Sequence, residues 1–252
     1  MKSFSINLNI LIAFLPCLFF GPAAWAQDSI LAQILRYQES IVGVTSENYD
    51  VFASPPQIAG IDKRTGRIAV SQNVAQQTFN RNGAGVIIHP SGVIVTNAHV
   101  VHKANRIKIT LFDKTVVYAD VIRFIGNLDF CLLKIDPPFP LDAIPFADSD
   151  AIQLRDEIIT VGSSYILNNT VSGGQVKGLG TTRLKSGHRV DLIHTTFNLY
   201  EGDSGGPLFN DKGELLGLMT AKETDADHSS FAIPSNKIWN YLMEYLNETN
   251  VQ

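Results

Sequence analysis

From Gly83 onward, the sequence is a succession of short apolar runs that are rich in β-branched residues and separated by turn residues. The runs are "GVIIH", "GVIVT", "RIKITLF", "TVVYADVIRFI", "DFCLLKI", "EIITVG", "VDLIHTT", "ELLGLMTA" and "SSFAI". Runs of this length and spacing predict β-strands, and no helix-length pattern stands between them to build parallel βαβ units. The main part of the chain is therefore predicted to be an all-β sandwich or barrel.

Helical periodicity occurs near the two ends of the chain. In "SILAQILRYQ" (residues 29–38), apolar residues recur at a helical spacing and predict a short N-terminal helix. In "PSNKIWNYLMEYLNE", Ile238, Leu242 and Leu246 fall on one face and predict a C-terminal helix. The polar segment 47–82 is broken by prolines and glycines, and it predicts a long exposed loop.

The segment "DPPFPLDAIPFADSD" (residues 136–150) carries four prolines near the middle of the strand series. Proline lacks the N–H group that a central strand donates to its neighbours. The segment is therefore predicted to be a linker between two β halves.

The first 26 residues have the features of a secretory signal peptide. Lys2 supplies a positive charge, an apolar run follows at residues 8–20, and "AWA" fits a cleavage site before Gln27. One alternative is an uncleaved membrane anchor, although the run is shorter than the roughly 20 residues of a bilayer span. Another is lipid attachment at Cys17. We predict an exported protein, periplasmic or secreted, with no stable membrane insertion after cleavage.

The amino-acid composition limits the classes of partner that the protein can bind and the interactions that can stabilise its fold. Signal cleavage would leave Cys131 as the one thiol of the mature chain, so an internal disulfide is excluded and stability has to come from a packed core. The formal net charge is −4, with acidic and basic residues interspersed. Because no basic block is present, we expect no nucleic-acid partner.

The stretch "YEGDSGGPLF" places Ser204 between an acidic residue and two glycines. A hydroxyl is a poor nucleophile at neutral pH, so it needs an imidazole to take its proton and an acid to orient that imidazole. Among the six histidines, His99 lies at a predicted strand end in "GVIVTNAHVV", and the others are interpreted as structural or surface residues. Asp129 heads the apolar run of "GNLDFCLLKI". It is either a turn residue or the acid that orients a histidine on a neighbouring strand.

The glycines beside Ser204 meet a second requirement of such chemistry. Two backbone N–H groups have to point at one developing oxyanion, and glycine permits the backbone twist that this needs. We therefore predict that the amides of Gly202 and Ser204 form an oxyanion hole.

The segments "TNAHVV", "LDFCLLKI" and "GDSGGPL", in this order, resemble the trypsin-like (chymotrypsin-fold) serine peptidases, and most of all their bacterial HtrA/Deg branch. Further similar segments are "GAGVIIHPSGVIVTNAHVV", "IPFADSD", "NNTVSGGQVKGLG" and "SFAIPSNKI". The resemblance implies that His99 is the general base, that Asp129 orients it and that Ser204 is the nucleophile. Gly202 and Ser204 would supply the oxyanion-hole amides.

The resemblance also implies an architecture. The fold would be all-β, with two antiparallel β-barrels of chymotrypsin type, the active site between them, and a short helix at each end. The chain would divide into a signal peptide (1–26), an N-terminal barrel half (27–140) and a C-terminal barrel half with the C-terminal helix (141–252). Family members are often trimers, so a homo-oligomer is a possible state.

Two features depart from the family pattern. HtrA proteins usually continue into PDZ domains, whereas this sequence ends at Gln252, and we expect no PDZ module. Asp203 stands where Asn is common in the family. In trypsin-type zymogens that Asp pairs with a newly freed N-terminal Ile, and "SIVGV" superficially resembles such a start. Activation by cleavage before Ile41 is one alternative, and a local donor to Asp203 is the other.

In the trypsin-like fold, the pocket for the residue before the cut bond is lined six residues before the nucleophile and by the strand after it. Here these positions are Asn198, Thr220, Ala221 and Lys222. Asn198 offers no carboxylate for a basic side chain, and Lys222 replaces a glycine that keeps the trypsin pocket open. We expect cleavage after small or medium apolar residues. There are two alternatives for Lys222. Its side chain points into solvent and does not affect specificity, or it attracts Asp or Glu of the substrate.

The sequence as a whole predicts an exported serine endopeptidase that acts on unfolded or exposed polypeptide segments, without a metal or organic cofactor. A non-catalytic substrate-binding or holdase protein on a peptidase fold is the alternative. An esterase of the α/β-hydrolase type is excluded, because the strand–helix context of its nucleophile elbow is missing.

Overall fold

The computed structural model describes residues 37–53, 57–61, 68–71, 74–162, 170–183, 189–196, 198–200, 202–222 and 229–250. The predicted signal peptide and nearly all of the predicted N-terminal helix lie outside these residues; a 3-10 turn, Gln38–Ser40, precedes the first strand. Within the described residues, the first strands are β1 (Ile41–Ala53), β2 (Gln57–Ile61), β3 (Ile68–Ser71), β4 (Val74–His89), β5 (Val93–Asn97), β6 (Arg106–Thr110), β7 (Val116–Ile125) and β8 (Phe130–Lys134). The others are β9 (Glu157–Gly162), β10 (Thr170–Arg183), β11 (Arg189–Thr195), β12 (Pro207–Phe209), β13 (Leu215–Lys222) and β14 (Ser230–Pro234). The helices are α1 (Ala98–Val101) and α2 (Ser235–Asn250).

These strands form two closed barrels in the described part of the chain. The first barrel has the strand order β1-β4-β5-β8-β7-β6, and the second has the order β10-β11-β14-β13-β12-β9. All of the pairings within them are antiparallel. The predicted all-β, two-barrel fold is therefore confirmed. The predicted boundary between residues 140 and 141 falls in the segment that connects β8 to β9, and it stays a prediction.

Each barrel has its own core, and a third core lies between the barrels. Strand β5 shows the principle, because successive residues of a strand point to opposite faces. Ile94 packs in the cluster that fills the first barrel, whereas Val93 and Val95 belong to the cluster shared by both barrels. All of these side chains are fully buried. A strand that is buried on both faces needs apolar residues at every position, which explains the continuous run "VIV".

Helix α2 packs against both barrels. Its Leu242 is buried in the shared core. The ring of Tyr241 meets that of Phe130 edge-to-face, with 5.4 Å between centroids. Arg123 of β7 forms an ion pair with Glu248 near the end of the helix. The helix of the second half is thereby attached to strands of the first barrel.

The start of α2 is held by the segment that connects the barrels. The backbone N–H of Asn236 donates to Ser149 Oγ over 3.1 Å, and its side-chain amide donates to the Asp148 carboxylate over 2.7 Å. The bond from Asn236, followed by one from the Asp150 backbone N–H, lowers the pKa of Asp148 from its usual value. The sequence "ADSD" is thus explained by helix capping.

The prediction of a loop over residues 47–82 is wrong, because this segment contains strands. β1 continues to Ala53 and pairs along its whole length with β4, and β2 and β3 form a separate hairpin between them. The two strands of the hairpin, "QIAGI" and "IAVS", have only five and four residues, which is too short for a clear periodic signal in the sequence. No helix in the described residues is both long enough and apolar enough to cross a membrane.

Candidate active site

His99 lies in the first turn of α1, directly after strand β5. Asn97 ends the strand with an extended backbone and is the N-cap of the helix. The neighbours of His99, Ala98 and Val100, are buried and fix the short helix on the barrel, while the His99 side chain keeps 48% of its surface exposed. The short helix α1 is therefore anchored to the barrel, and it presents the imidazole to solvent.

Asp129 ends the turn between β7 and β8 and faces His99. Its Oδ2 accepts a hydrogen bond from His99 Nδ1 over 2.8 Å, and its Oδ1 accepts from the His99 backbone N–H over 3.1 Å. Asp129 has a φ of 60°, a left-handed conformation that Asp and Asn tolerate better than most residues. The carboxylate fixes the imidazole with Nδ1 as the donor, which leaves Nε2 as the acceptor.

Thr220 of β13 also contacts this carboxylate. Its hydroxyl donates to Asp129 Oδ2, and the side chain is only 4% exposed. Thr220 is also one of the predicted residues of the substrate pocket, and that role stays a prediction. Because Thr220 belongs to the second barrel and Asp129 to the first, the bond joins the two barrels behind His99.

Ser204 lies in the loop between β11 and β12, where the second barrel meets the first. Its carbonyl accepts from the Ala84 backbone N–H of β4 over 2.8 Å. A Cβ added to Gly83 would lie 2.8 Å from both the Ser204 carbonyl oxygen and Val100 Cγ2. Only glycine therefore lets the serine loop approach the helix that carries His99. Among the hydrogen bonds of the described residues, none joins the His99 ring to the Ser204 hydroxyl.

Backbone hydrogen bonds hold the serine loop on the second barrel. The amide of Gly205 donates to Met219 O over 2.8 Å, and that of Gly206 donates to Asp203 O over 2.9 Å. In the described part of the chain, the amides of Gly202 and Ser204 take part in no such bond. Gly202 has a φ of 97°, which favours glycine. The oxyanion hole predicted from the amides of Gly202 and Ser204 stays a prediction.

Asp203 is 4% exposed, and it has a local donor. Its Oδ2 accepts from the Tyr200 backbone N–H over 2.9 Å, and its own N–H donates to Tyr200 O over 3.1 Å. These two bonds close the turn before Ser204. The local-donor alternative for Asp203 therefore has a structural basis that does not involve Ile41, which is buried in β1 and paired with Val86.

The remaining predicted pocket residues are only partly described. Asn198 is half-buried, in the segment that leads to the serine loop. Ala221 and Lys222 lie at the end of β13, where their backbones pair with Phe231 and Ser230, and their side chains lie outside what the structure describes. Their role in specificity stays a prediction.

The thiol of Cys131 stands two residues from Asp129 but has a different environment. Burial raises the pKa of this thiol to about 12, and the residue is fully buried in the first barrel. A thiol with such a pKa carries almost no thiolate at neutral pH, and thiolate is the nucleophilic form. Cys131 is therefore a core residue, which leaves the serine as the candidate nucleophile.

A fold of two closed antiparallel β-barrels is that of the chymotrypsin-like serine peptidases, and it holds here a His–Asp pair of the kind that these enzymes use. Residues 83–218, more than half of the chain, match the family model of the trypsin-like peptidase domain. The chain therefore belongs to the trypsin-like peptidase family.

Its curated relatives are named as proteases. The chain is 33% identical over 239 residues to the magnetosome formation protease MamE of Paramagnetospirillum magneticum, which covers 91% of this chain and 32% of MamE. It is 39% identical over 177 residues to the periplasmic serine endoprotease DegP of Salmonella typhimurium, which covers 68% of this chain and 37% of DegP. The predicted likeness to the HtrA/Deg branch is thereby confirmed, and the chain spans about a third of the length of these two relatives.

The fold has a counterpart among solved structures. An HtrA-type protease, AlgW, with a tripeptide superposes with a TM-score of 0.67 at 22% identity, over 85% of this chain and 62% of that one. At this level of identity the likeness shows the shared fold alone.

Proposed function

We propose that the protein is an exported serine endopeptidase that cuts polypeptides through Ser204, His99 and Asp129. The observation that carries the proposal is the contact of the His99 ring N–H with the Asp129 carboxylate, made across a turn that ends in a left-handed residue. A carboxylate bonded to Nδ1 keeps the other ring nitrogen ready to take a proton. A merely structural histidine has no need of this arrangement on a half-exposed ring.

In the proposed reaction, Ser204 Oγ attacks the carbonyl carbon of the scissile peptide bond while His99 Nε2 takes its proton. The resulting imidazolium is stabilised by Asp129 and then protonates the leaving amine, which gives an acyl-enzyme. Water attacks the acyl group with His99 again acting as the base, and the serine is regenerated. The hydrogen bond that the serine hydroxyl donates to histidine Nε2 is often long in an enzyme without substrate and shortens in the complex.

The amides of Gly202 and Ser204 would bind the oxyanion of each tetrahedral intermediate. In support, the neighbouring amides of Asp203, Gly205 and Gly206 are all used within the protein, which holds the loop in one conformation. Donors fixed in advance need no reorganisation during the reaction, and loss of one typically costs about 10²–10³ in rate. The chemistry needs only side chains and backbone amides, and no metal or organic cofactor enters it.

The proposed substrates are unfolded or exposed polypeptide segments, cut after small or medium apolar residues. Asn198 provides no carboxylate for a basic side chain. Export is proposed because the sequence begins with a signal-like segment and because the relative DegP is named as periplasmic. Intact-mass measurement of exported protein is expected to give a chain that begins at Gln27. A chain that keeps residues 1–26 would contradict cleavage, and one that starts at Ile41 would favour the zymogen alternative.

The proposal is tested by the Ser204→Ala variant. We expect it to remain folded and to lose both the hydrolysis of an unfolded protein and labelling by a serine-directed fluorophosphonate, because both require Oγ. Ser172→Ala, in a partly exposed position on β10, is the matched control and is expected to react like the parent protein.

Two outcomes would contradict the proposal. Hydrolysis by the Ser204→Ala variant, or mass mapping of the label to another serine, would exclude Ser204 as the nucleophile. A parent protein that binds unfolded chains but neither hydrolyses them nor takes up the label would be a binding protein on a peptidase fold.

A further inference from the structure

The side chain of Phe124, close to the end of β7, is 47% exposed although its neighbour Ile125 is buried. An aromatic ring that is half exposed at a fixed position of a sheet presents apolar surface to whatever passes over it. The surroundings of this ring therefore indicate what it contacts.

The strand register places Phe124 at one end of the first barrel. Strand β7 has a bulge between Val121 and Arg123. Before the bulge Val121 pairs with Leu133 of β8, and after it Phe124 pairs with Cys131. Cys131 and Leu133 are two residues apart and share a face of β8, so Val121 and Phe124 share a face of β7 as well.

That face is the one directed to the interior of the barrel, because Cys131 and Leu133 belong to the interior core. β6 covers β7 only as far as Ala119, so Phe124 lies beyond the end of β6. Val100 and Val101 of α1 pack in the same core. The exposed ring and the helix that carries His99 therefore occupy the same end of the barrel.

The ring contacts residues that stand three positions from His99 and from Asp129 in the sequence. The rings of Phe124 and His102 lie 5.9 Å apart between centroids. His102 follows His99 by three residues, a spacing that places two side chains on the same side of a helix. A Cβ on Gly126 would lie 2.9 Å from Phe124 Cε1, so the ring covers the start of the turn that ends at Asp129.

We propose that Phe124 and His102 form an aromatic shelf that binds an apolar side chain of the substrate within a few residues of the cut bond. The proposal rests on the proposed function and names a specificity determinant for it. A polypeptide that delivers its carbonyl to Ser204 has to pass His99, and the shelf lies at the end of the first barrel that carries His99. Phe124 is a binding residue in this proposal and takes no part in proton transfer.

The test compares cleavage of a peptide library by the parent chain and by Phe124→Ala, with mass spectrometry of the products. The parent is expected to favour apolar over Gly residues at one position other than that directly before the cut. Phe124→Ala should reduce this preference by about tenfold, in the range found for contacts in apolar pockets. Phe124→Lys should shift the same position towards Asp and Glu, which a purely structural ring would not do.

Tyr118→Ala is the matched control, because Tyr118 is 50% exposed on the same strand but pairs with Lys108 at its far end. It is expected to keep the parent profile. An unchanged profile in both Phe124 variants would overturn the proposal, and so would an equal change in Tyr118→Ala. A changed oligomeric mass with an unchanged profile would assign the shelf to contact between copies instead.

Fluorophosphonate labelling separates this proposal from the one on which it rests. Labelling of Ser204 with an unchanged cleavage profile contradicts the shelf alone. Absence of both labelling and cleavage in the parent chain contradicts the peptidase proposal. If Phe124→Ala does not fold, Phe124→Leu keeps an apolar side chain and should lose selectivity for aromatic over aliphatic residues at the same position.

Discussion

Asp129 combines an unusual backbone conformation with hydrogen bonds to both carboxylate oxygens from two residues, His99 and Thr220. The left-handed φ restricts which residues can replace it without strain. Asparagine tolerates this conformation, whereas most other residues pay about 1–2 kcal/mol. A substitution to Asn therefore tests the charge of the side chain without disturbing the turn.

We expect Asp129→Asn to fold like the parent protein and to lower turnover by about 10⁴, because the amide no longer enforces Nδ1 as the donor of His99. The measurement is kcat on an unfolded protein substrate, with circular dichroism as the check of folding. Asp120→Asn, at an exposed position on β7, is the control. Turnover within tenfold of the parent would mean that another acid orients the imidazole.

At the scale of residues, the sequence indicates which residues belong to the candidate site better than it indicates which contacts they make. From its place at a strand end Asp129 is either a turn residue or the orienting acid, and its pairing with His99 is what the family resemblance implies; the bonds found agree with that pairing. The bond from Thr220 could not be anticipated, because Thr220 is separated from Asp129 by 91 positions and lies in the other barrel. A threonine in a strand is also common for its β-propensity alone.

At the scale of elements, the loop between β11 and β12 fits closely against strand β4. Gly205 has a φ of 86°, and a Cβ there would come within 2.2 Å of the Ala84 carbonyl oxygen and 2.7 Å of Thr96 Oγ1. Backbone cannot yield as a flexible side chain can. Gly205 is thus required both by its conformation and by the distance between the barrels.

We expect Gly205→Ala to lower the free energy of unfolding by at least about 2 kcal/mol, since left-handed strain and the clash with Ala84 add. Turnover should fall further than stability predicts, because the adjacent Ser204 is displaced. Urea denaturation and kinetics measure the two effects.

Gly178→Ala is the matched control, because Gly178 lies in β10 and an added Cβ meets nothing within 4 Å. It should be neutral or slightly stabilising, as expected for a strand glycine. Equal effects of the two substitutions would contradict a close approach at Gly205.

Strands and helices that bury apolar residues at a regular spacing could be predicted from the sequence. Elements without such a pattern could not be predicted. The runs that became β5, β8 and β14 are buried at nearly every position, so the sequence shows them clearly. β10 contains four glycines and several exposed residues, and β12 has three residues, which is too short for a periodic signal. β2 and β3, with five and four residues, are likewise too short.

At the scale of the whole molecule, each barrel has its own core, and the core of the first barrel contains Cys131. The reactivity of this thiol therefore reports on unfolding of the first barrel. Cys131 Sγ is fully buried, and burial raises its pKa to about 12. We expect alkylation by iodoacetamide at pH 8 to be slow in the native protein and to follow the unfolding transition in urea. In the unfolded chain the thiol regains an ordinary pKa near 8.5 and reacts.

Rapid alkylation of Cys131 under native conditions would show that the first barrel opens locally. The Cys131→Ala variant supplies the background rate, and its unfolding midpoint shows how much the side chain contributes to the core. A label found on the native protein but absent from this variant would identify local opening rather than reaction elsewhere.

The hydrogen bond from Ala84 to Ser204 and the bond from Thr220 to Asp129 run between the barrels in opposite directions along the chain. Each barrel therefore holds a group whose position is fixed by the other. A slight slip of one barrel along the other would break these ties while leaving both sheets intact. On gentle heating, turnover should decline before the far-ultraviolet circular dichroism changes. Loss of activity would then report displacement of one barrel relative to the other, whereas loss of the dichroism signal reports unfolding.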